Sequence, residues 1–290
     1  MRLAAATRKE RFLEMQKEEL LKDLKELFAS CTGNTVPAGK ALEHCEGLVI
    51  FEEPVFGVSR ADDPIYRTFK EKEVIGDNFL LPAEWLAEAR SVISFFLPFT
   101  ETVKRSNRGE PEKTSPEWLH GRIEGQALIT EFTNRIKRYF EVRGSKACVP
   151  ATDPRFAVRT TALPEDDPKG VHIASNWSER HVAYASGLGT FSLTRGLITV
   201  KGVAGRFGSV IVSEEIGPDE RPYTGVYDYC SRCGACIRRC PAGAISLEGG
   251  KNQIRCKAWM DLMKKRYAPR YGCGKCQIGV PCESGIPGKS

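Results

Sequence analysis

Long apolar runs are missing from this chain. The longest, VISFFLPF (92–99), falls far short of the roughly 20 residues of a membrane span and reads as a buried strand. The N-terminus has basic residues but no apolar h-region, so no secretory signal is expected. A cytoplasmic protein with no membrane partner follows as the expectation. Histidine is scarce: the four present are isolated and form no H-x3-H pair, which argues against a histidine-based metal site. Charge of one sign is also lacking. The 43 basic and 37 acidic residues leave +6, well below the basic stripe of a dedicated nucleic-acid binder. The one basic run, KKRYAPRY (264–271), reads as a solvated helix end that balances a nearby negative cluster. Glycine is plentiful, yet GLG (187–189) and GVAGRFG (202–208) are not G-x-G-x-x-G between a strand and a helix. They read as a helix stop and a hairpin turn rather than a dinucleotide loop.

Cysteine is what the chain has in quantity, eleven in all. Cys230, Cys233, Cys236 and Cys240 follow C-x2-C-x2-C-x3-C-P, the bacterial ferredoxin run for a [4Fe-4S] cluster. Two-residue gaps let a tight loop offer three thiolates to one cubane. In two-cluster proteins the fourth cysteine serves the other cluster, so a second set is required. Cys256, Cys273, Cys276 and Cys282 supply it. The natural partition gives Cys230, Cys233, Cys236 and Cys282 to one cluster and Cys240, Cys256, Cys273 and Cys276 to the other. Zinc ribbons show separated C-x2-C knuckles without the C-P ending, and a disulfide framework needs an export signal. Eight iron-bound thiolates imply a reducing compartment and anaerobic life. Cys31, Cys45 and Cys148 are left over and read as buried structural thiols.

A length of 290 fits about two domains, and a mean hydropathy of -0.33 fits a packed water-soluble core. Residues 8–30 read as an amphipathic helix with Leu13, Leu20, Leu24, Leu27 and Phe28 on one face. GLVIFEE (47–53) and SVISFFLPF (91–99) read as strands around a Pro-led helical segment at 82–90. A polar, mobile loop is expected at 101–116, a helix at 117–143 and a short strand at 146–153. Asn176 with Glu179 three residues later marks a helix start that stops at Gly187. Strands at 196–200 and 207–216 are expected as partners across a glycine turn. The cysteine domain begins near residue 221, giving domains 1–220 and 221–290.

ERHVAYASGLG (179–189), GLITVKGVAGRFGS (196–209) and CSRCGACIRRCP (230–241) together resemble the core of the epoxyqueuosine reductases and of the corrinoid-dependent reductive dehalogenases. Glu179, Arg180, Gly187, Leu188, Gly189, Leu197, Ile198, Thr199, Gly208, Ser209 and Cys256 carry the likeness, and PAEWLAEARSVISFFLPFT resembles the family's N-terminal segment. The resemblance implies an α+β chain: a nitroreductase-like α/β core followed by a two-[4Fe-4S] ferredoxin-like domain. It implies an iron–sulfur oxidoreductase in which two clusters pass electrons to a base-off cobalamin. That cofactor would be lined by Glu179, Arg180 and the backbone of Gly187, Leu188, Gly189, Thr190 and Phe191. An electron-transfer protein that reduces a partner, such as a corrinoid protein, without tightly bound cobalamin is the alternative, and a flavin in the pocket is a third case. Expected partners are a ferredoxin or flavodoxin donor and a small-molecule or corrinoid-protein substrate.

The departures carry expectations as well. The resemblance implies an acidic proton donor six positions before Glu179, where this chain has Ile173. After Gly189 the family tends toward aromatic-x-Gly-Lys, and here Thr190, Phe191, Ser192 and Leu193 follow. The last cysteine sits in GVPCES, with five residues between it and Cys276, rather than in a three-residue spacing before proline. With Ile173 unable to give a proton, Tyr184 is the candidate catalytic donor, and transfer RNA is not expected as a partner.

Overall fold

The structure is a computed structural model that describes residues 8–288. Helix α1 (Arg8–Ala29) opens the chain, with Leu20, Leu24 and Phe28 buried along one side. Leu13 lies outside the residues whose side chains are described. After α1 come β1 (Val55–Arg60), the short helices α2 (Ile65–Thr68) and α3 (Pro82–Trp85), and β2 (Ser91–Pro98). Every residue of β2 is buried, Ser91 and Ser94 included, in keeping with its mostly apolar sequence. The run expected as a strand at 47–53 makes only isolated bridges, Val49 to Thr35 and Phe51 to Phe99. The edge strand is VFGVSR instead, because Pro54 cannot donate to a ladder and pairing resumes beyond it.

Helix α4 (Glu101–Ser106) occupies part of the segment expected to be a loop. Helix α5 (Pro116–Glu141) follows, started by the Ser115 side chain, which accepts from the Trp118 amide, and by proline at the first turn. Its buried face includes Leu128, Ile129, Phe132, Ile136 and Phe140, each contributing about 1.5–3 kcal/mol on burial. Strand β3 (Ala147–Cys148) is only two residues long. Next come an unanticipated hairpin, β4 (Val158–Ala162) with β5 (Val171–Ser175), then α6 (Glu179–Ala185), β6 (Gly189–Phe191), β7 (Leu197–Thr199) and β8 (Gly205–Val212).

The main sheet has order β1-β2-β8-β3, antiparallel throughout. Strand alternation sorts its two faces. Ile93, Phe95, Leu97, Val210 and Val212 join α1 and α5 in one core, whereas Val92 and Ile211 join Val182 and Ala185 of α6 in another. The fold is therefore mixed α/β with helices on both faces. Strands β7 and β8 do not pair with each other, contrary to expectation: β7 pairs with β6, and β8 pairs with β2 and β3. The intervening glycines turn the chain from one sheet into another. Beyond residue 221 run α7 (Ala235–Arg239), the small ribbon β9 (Ile245–Ser246) and β10 (Gly250–Lys251), and α8 (Gln253–Tyr267). Among the described residues no helix is long and apolar enough to cross a membrane.

The segment 101–116 docks the cysteine region rather than swinging free. Asn107 Nδ2 donates to Cys273 O at 2.8 Å, Thr114 Oγ1 donates to Gly272 O at 2.9 Å, and buried Lys275 donates to Asn107 O at 2.8 Å.

Candidate functional site

The eight cysteines of the C-terminal segment fall into two quartets in space. Cys230, Cys233, Cys236 and Cys282 line one small cavity with Ser192 and Thr194, whereas Cys240, Cys256, Cys273 and Cys276 line a separate, larger one. Burial pushes the Cys282 thiol up to about 12, reinforced by Cys230, Cys236 and Cys233. Burial likewise pushes Cys273 up to about 11, reinforced by Cys276, Cys256 and Cys240 and opposed by a backbone amide at Lys275. Cys282 and Cys273 thus each feel the other three cysteines of their own quartet. Cys236 also feels Cys276, so the two sets adjoin. Gly234 and Gly274 occupy the same place in the two C-G-x-C loops, and both hold the left-handed conformation, φ 73° and 68°. The Ala244 amide donates to Cys240 Sγ at 3.3 Å, the type of contact that tunes cluster potential. Cys256 sits in the first turn of α8, whose start is capped by the Asn252 side chain.

Above the second quartet opens a cavity of about 740 Å³, within the range of cofactor sites. It forms where the start of β8 meets α5 and the start of α6. Helix α5 contributes Trp118, Arg122 and Gln126, β8 contributes Arg206 and Phe207, and α8 contributes Trp259 and Met260. The α8 residues follow Cys256 at i+3 and i+4, on its own helix face. No histidine is among the lining residues.

Of the sequence candidates, Glu179 and Arg180 line this cavity. Ser209 accepts from Trp177 Nε1 at 2.9 Å and donates to Glu179 Oε2 at 2.7 Å. Glu179 Oε1 is buried with no protein partner, and so is the Trp259 indole nitrogen. Burial raises the Glu179 carboxyl to about 7, and the Ser209 hydrogen bond only partly opposes this. Burial depresses Arg206 to about 9, helped by neighbouring Arg122; its guanidinium donates to Gln126 Oε1. Arg180 is lowered by burial and by Arg195, with Cys276 acting the other way. The cavity therefore holds cations without paired carboxylates beside one carboxyl near neutrality.

Gly187, Leu188, Gly189, Thr190 and Phe191 do not line it. A Cβ on Gly187 would lie 2.6 Å from Glu220 O and one on Gly189 1.9 Å from Ile198 O. The Phe191 amide donates to Val226 O, and Thr190 Oγ1 accepts from the Tyr229 amide. These glycines admit the close approach of the chain's own following segments. Tyr184 also stays out of the lining, packed against Phe191 and Tyr223 with ring centroids at 6.0 and 5.1 Å. Ile173 belongs to β5, where its amide donates to Gln253. The residues that sequence reasoning missed, Arg122, Gln126 and Arg206, are lone polar positions on elements whose pattern announces only core and solvent faces.

Residues 223–246, with Cys230, Cys233, Cys236 and Cys240, match the 4Fe-4S binding domain family. Over 135 residues, 43% of this chain and 34% of the other, the sequence is 29% identical to the epoxyqueuosine reductase of Staphylococcus aureus (strain NCTC 8325 / PS 47). The crystal structure of selenomethionine-labelled epoxyqueuosine reductase shares the fold at TM-score 0.54 and 17% identity, over 95% of this chain and 67% of that one. The chain is similar to the epoxyqueuosine reductases in sequence over part of its length and in overall fold. The match spans about a third of the length of the curated relatives. An epoxyqueuosine reductase solved with an epoxyqueuosine-modified tRNA-Tyr stem loop also shares the fold, at TM-score 0.50, 16% identity, 95% and 67% coverage. That finding corrects the expectation that transfer RNA is not a partner, which rests on Ile173 and a short basic run. One missing acid does not decide a substrate when another carboxyl, Glu179, lines the cavity. The basic run is also partly structural: Tyr267 accepts from the Thr114 amide, and Arg270 pairs with Glu124.

Proposed function

We propose that this chain is an iron–sulfur reductase. A core domain, 1–220, of nitroreductase-like type holds a base-off cobalamin, and a domain at 221–290 carries two [4Fe-4S] clusters that feed it. The observation that carries the reading is the cavity itself, walled on one side by the Cys240, Cys256, Cys273 and Cys276 quartet and on the other by Glu179, Arg180 and Arg206. The residues fit a large planar group. Trp118, Phe207 and Trp259 offer flat walls, Gln126 and Gln277 offer amides, and two buried polar atoms, Glu179 Oε1 and Trp259 Nε1, lack protein partners. No histidine lines the cavity, so no imidazole side chain would be offered to the cofactor there.

A cobalamin bound there supplies low-valent cobalt chemistry that side chains cannot. The chain's own part is to position and to protonate. Arg180 and Arg206 attract anionic groups of the cofactor or substrate, and burial keeps their charges effective. Ser209 fixes Glu179 through Oε2, which leaves Oε1 to hold the proton given to a departing oxygen. A carboxyl raised to about 7 is matched to that task near neutral pH. Exposed Cys233 marks the side where a ferredoxin or flavodoxin delivers electrons. The relatives make an epoxyqueuosine-containing tRNA stem loop the first substrate to assay.

The test is an anaerobic optical titration of cluster-loaded protein with cobalamin. Binding with the lower base displaced shifts the absorption to the blue of free cobalamin. An unchanged spectrum at high cobalamin, with clusters intact, rejects the cofactor and leaves a protein that reduces a separate partner.

A further inference from the structure

A second set of metal-type donors converges away from the cavity. His44 and Cys45 lie in the turn between α1 and the sheet, and Glu117 stands in the first turn of α5. One ligand atom from each lies within 4.8 Å of the other two, and His44 Nε2 is 2.8 Å from Glu117 Oε1. Thiolate, imidazole and carboxylate form the mixed donor set of borderline divalent cations, tetrahedral zinc foremost, with the fourth position left to water. Cys45 and Glu117 are buried, while the His44 side chain is 67% exposed, so the group has an open side for entry.

Three further features fit a built site. The turn is pinned through its own backbone: the Leu42 amide donates to His120 Nε2 at 3.0 Å, and Arg270 donates to Lys40 O at 2.9 Å. Glu43, next to His44, holds φ 42°, a left-handed conformation that non-glycine residues avoid and that gathers at functional sites. Its carboxylate lies 3.7 Å from His44 Nδ1, on the ring nitrogen opposite the one facing Glu117, where an outer carboxylate orients a ligating imidazole. An ion pair between His44 and Glu117 accounts for those two side chains. It accounts neither for the thiol within reach nor for the strained residue beside it.

We propose that His44, Cys45 and Glu117 bind a borderline divalent cation, zinc by preference, which staples this turn to the first turn of α5. Glu117 precedes Trp118, so the ion would fix the helix end that supplies part of the cavity wall. The cluster thiolates also take zinc, so the experiment keeps both clusters in place. Anaerobically purified, cluster-loaded protein is dialysed against buffered Zn²⁺, and zinc and iron per chain are counted. Wild type should hold about one zinc more than His44→Ala at unchanged iron, and Cys45→Ser should weaken binding at least tenfold. The exposed position of His44 makes its replacement safe for folding. X-ray absorption at the zinc edge should then show one sulfur with nitrogen and oxygen neighbours. Equal zinc in wild type and His44→Ala, or an all-sulfur shell accompanied by iron loss, would overturn the assignment.

Discussion

The two cysteine quartets share a sequence grammar but not surroundings. The outer one, with Cys230 and Cys282, has Cys233 exposed and hydroxyls of Ser192 and Thr194 beside it. The inner one, with Cys240 and Cys256, is covered by α5 and α8 and opens into the cavity beside Arg206 and Glu179. Similar loops thus acquire different tasks from what packs against them. One quartet faces solvent, where a donor can dock; the other faces the chamber where a reaction can be kept dry. Cys276 acts electrostatically on the Cys236 thiol, so the quartets adjoin, and the proposed function runs electrons from the outer one to the inner.

The largest expected effect separates the quartets directly. Cys256→Ser and Cys282→Ser should each leave about four of about eight iron per chain, while the double variant keeps none. If either single change leaves all the iron in place, the partition fails. Next comes the acid. Glu179→Gln should lower turnover by about 10²–10⁴-fold with clusters intact. In the proposed role Glu179 acts in its protonated form, so wild-type rate should fall as pH rises through about 7, and the variant should lose that limb. The same raised carboxyl favours the folded state below its unfolded value, and the advantage is lost as pH rises through about 7. A smaller effect is expected at Arg206→Leu: about tenfold weaker cofactor binding in the optical titration, with iron content unchanged. Smallest of all is Tyr184→Phe. With its ring packed on Tyr223 and Phe191, turnover should stay within about twofold of wild type.

Legibility followed the same division. The cysteine spacing is readable because a cubane dictates it; β2 is readable as a nearly continuous apolar run, and α5 because burial of one face imposes a helical period. The Gly-Leu-Gly turn is harder: glycine marks close backbone approach without saying whether the visitor is a ligand or, as with Glu220 O at Gly187, the chain itself. Strand β1 hides behind Pro54, and the β4–β5 hairpin hides because exposed, mixed residues such as those of β4 show no alternation. The cavity's Arg206 and Gln126 come from different elements, and only the register of β8 against α5 brings them together. His44, Cys45 and Glu117 are unreadable for the same reason, since Cys45 and Glu117 lie 72 positions apart.

Cobalt reduction in the loaded protein tests the series arrangement most directly. Under strict anaerobiosis, a low-potential donor is mixed with protein carrying cobalamin and clusters, and cobalt and cluster absorption are followed together. The account predicts reduction through the clusters in wild type. In Cys256→Ser the outer cluster should still be reduced while cobalt stays oxidised. Cobalt reduction at the wild-type rate with the inner quartet empty of iron would contradict it.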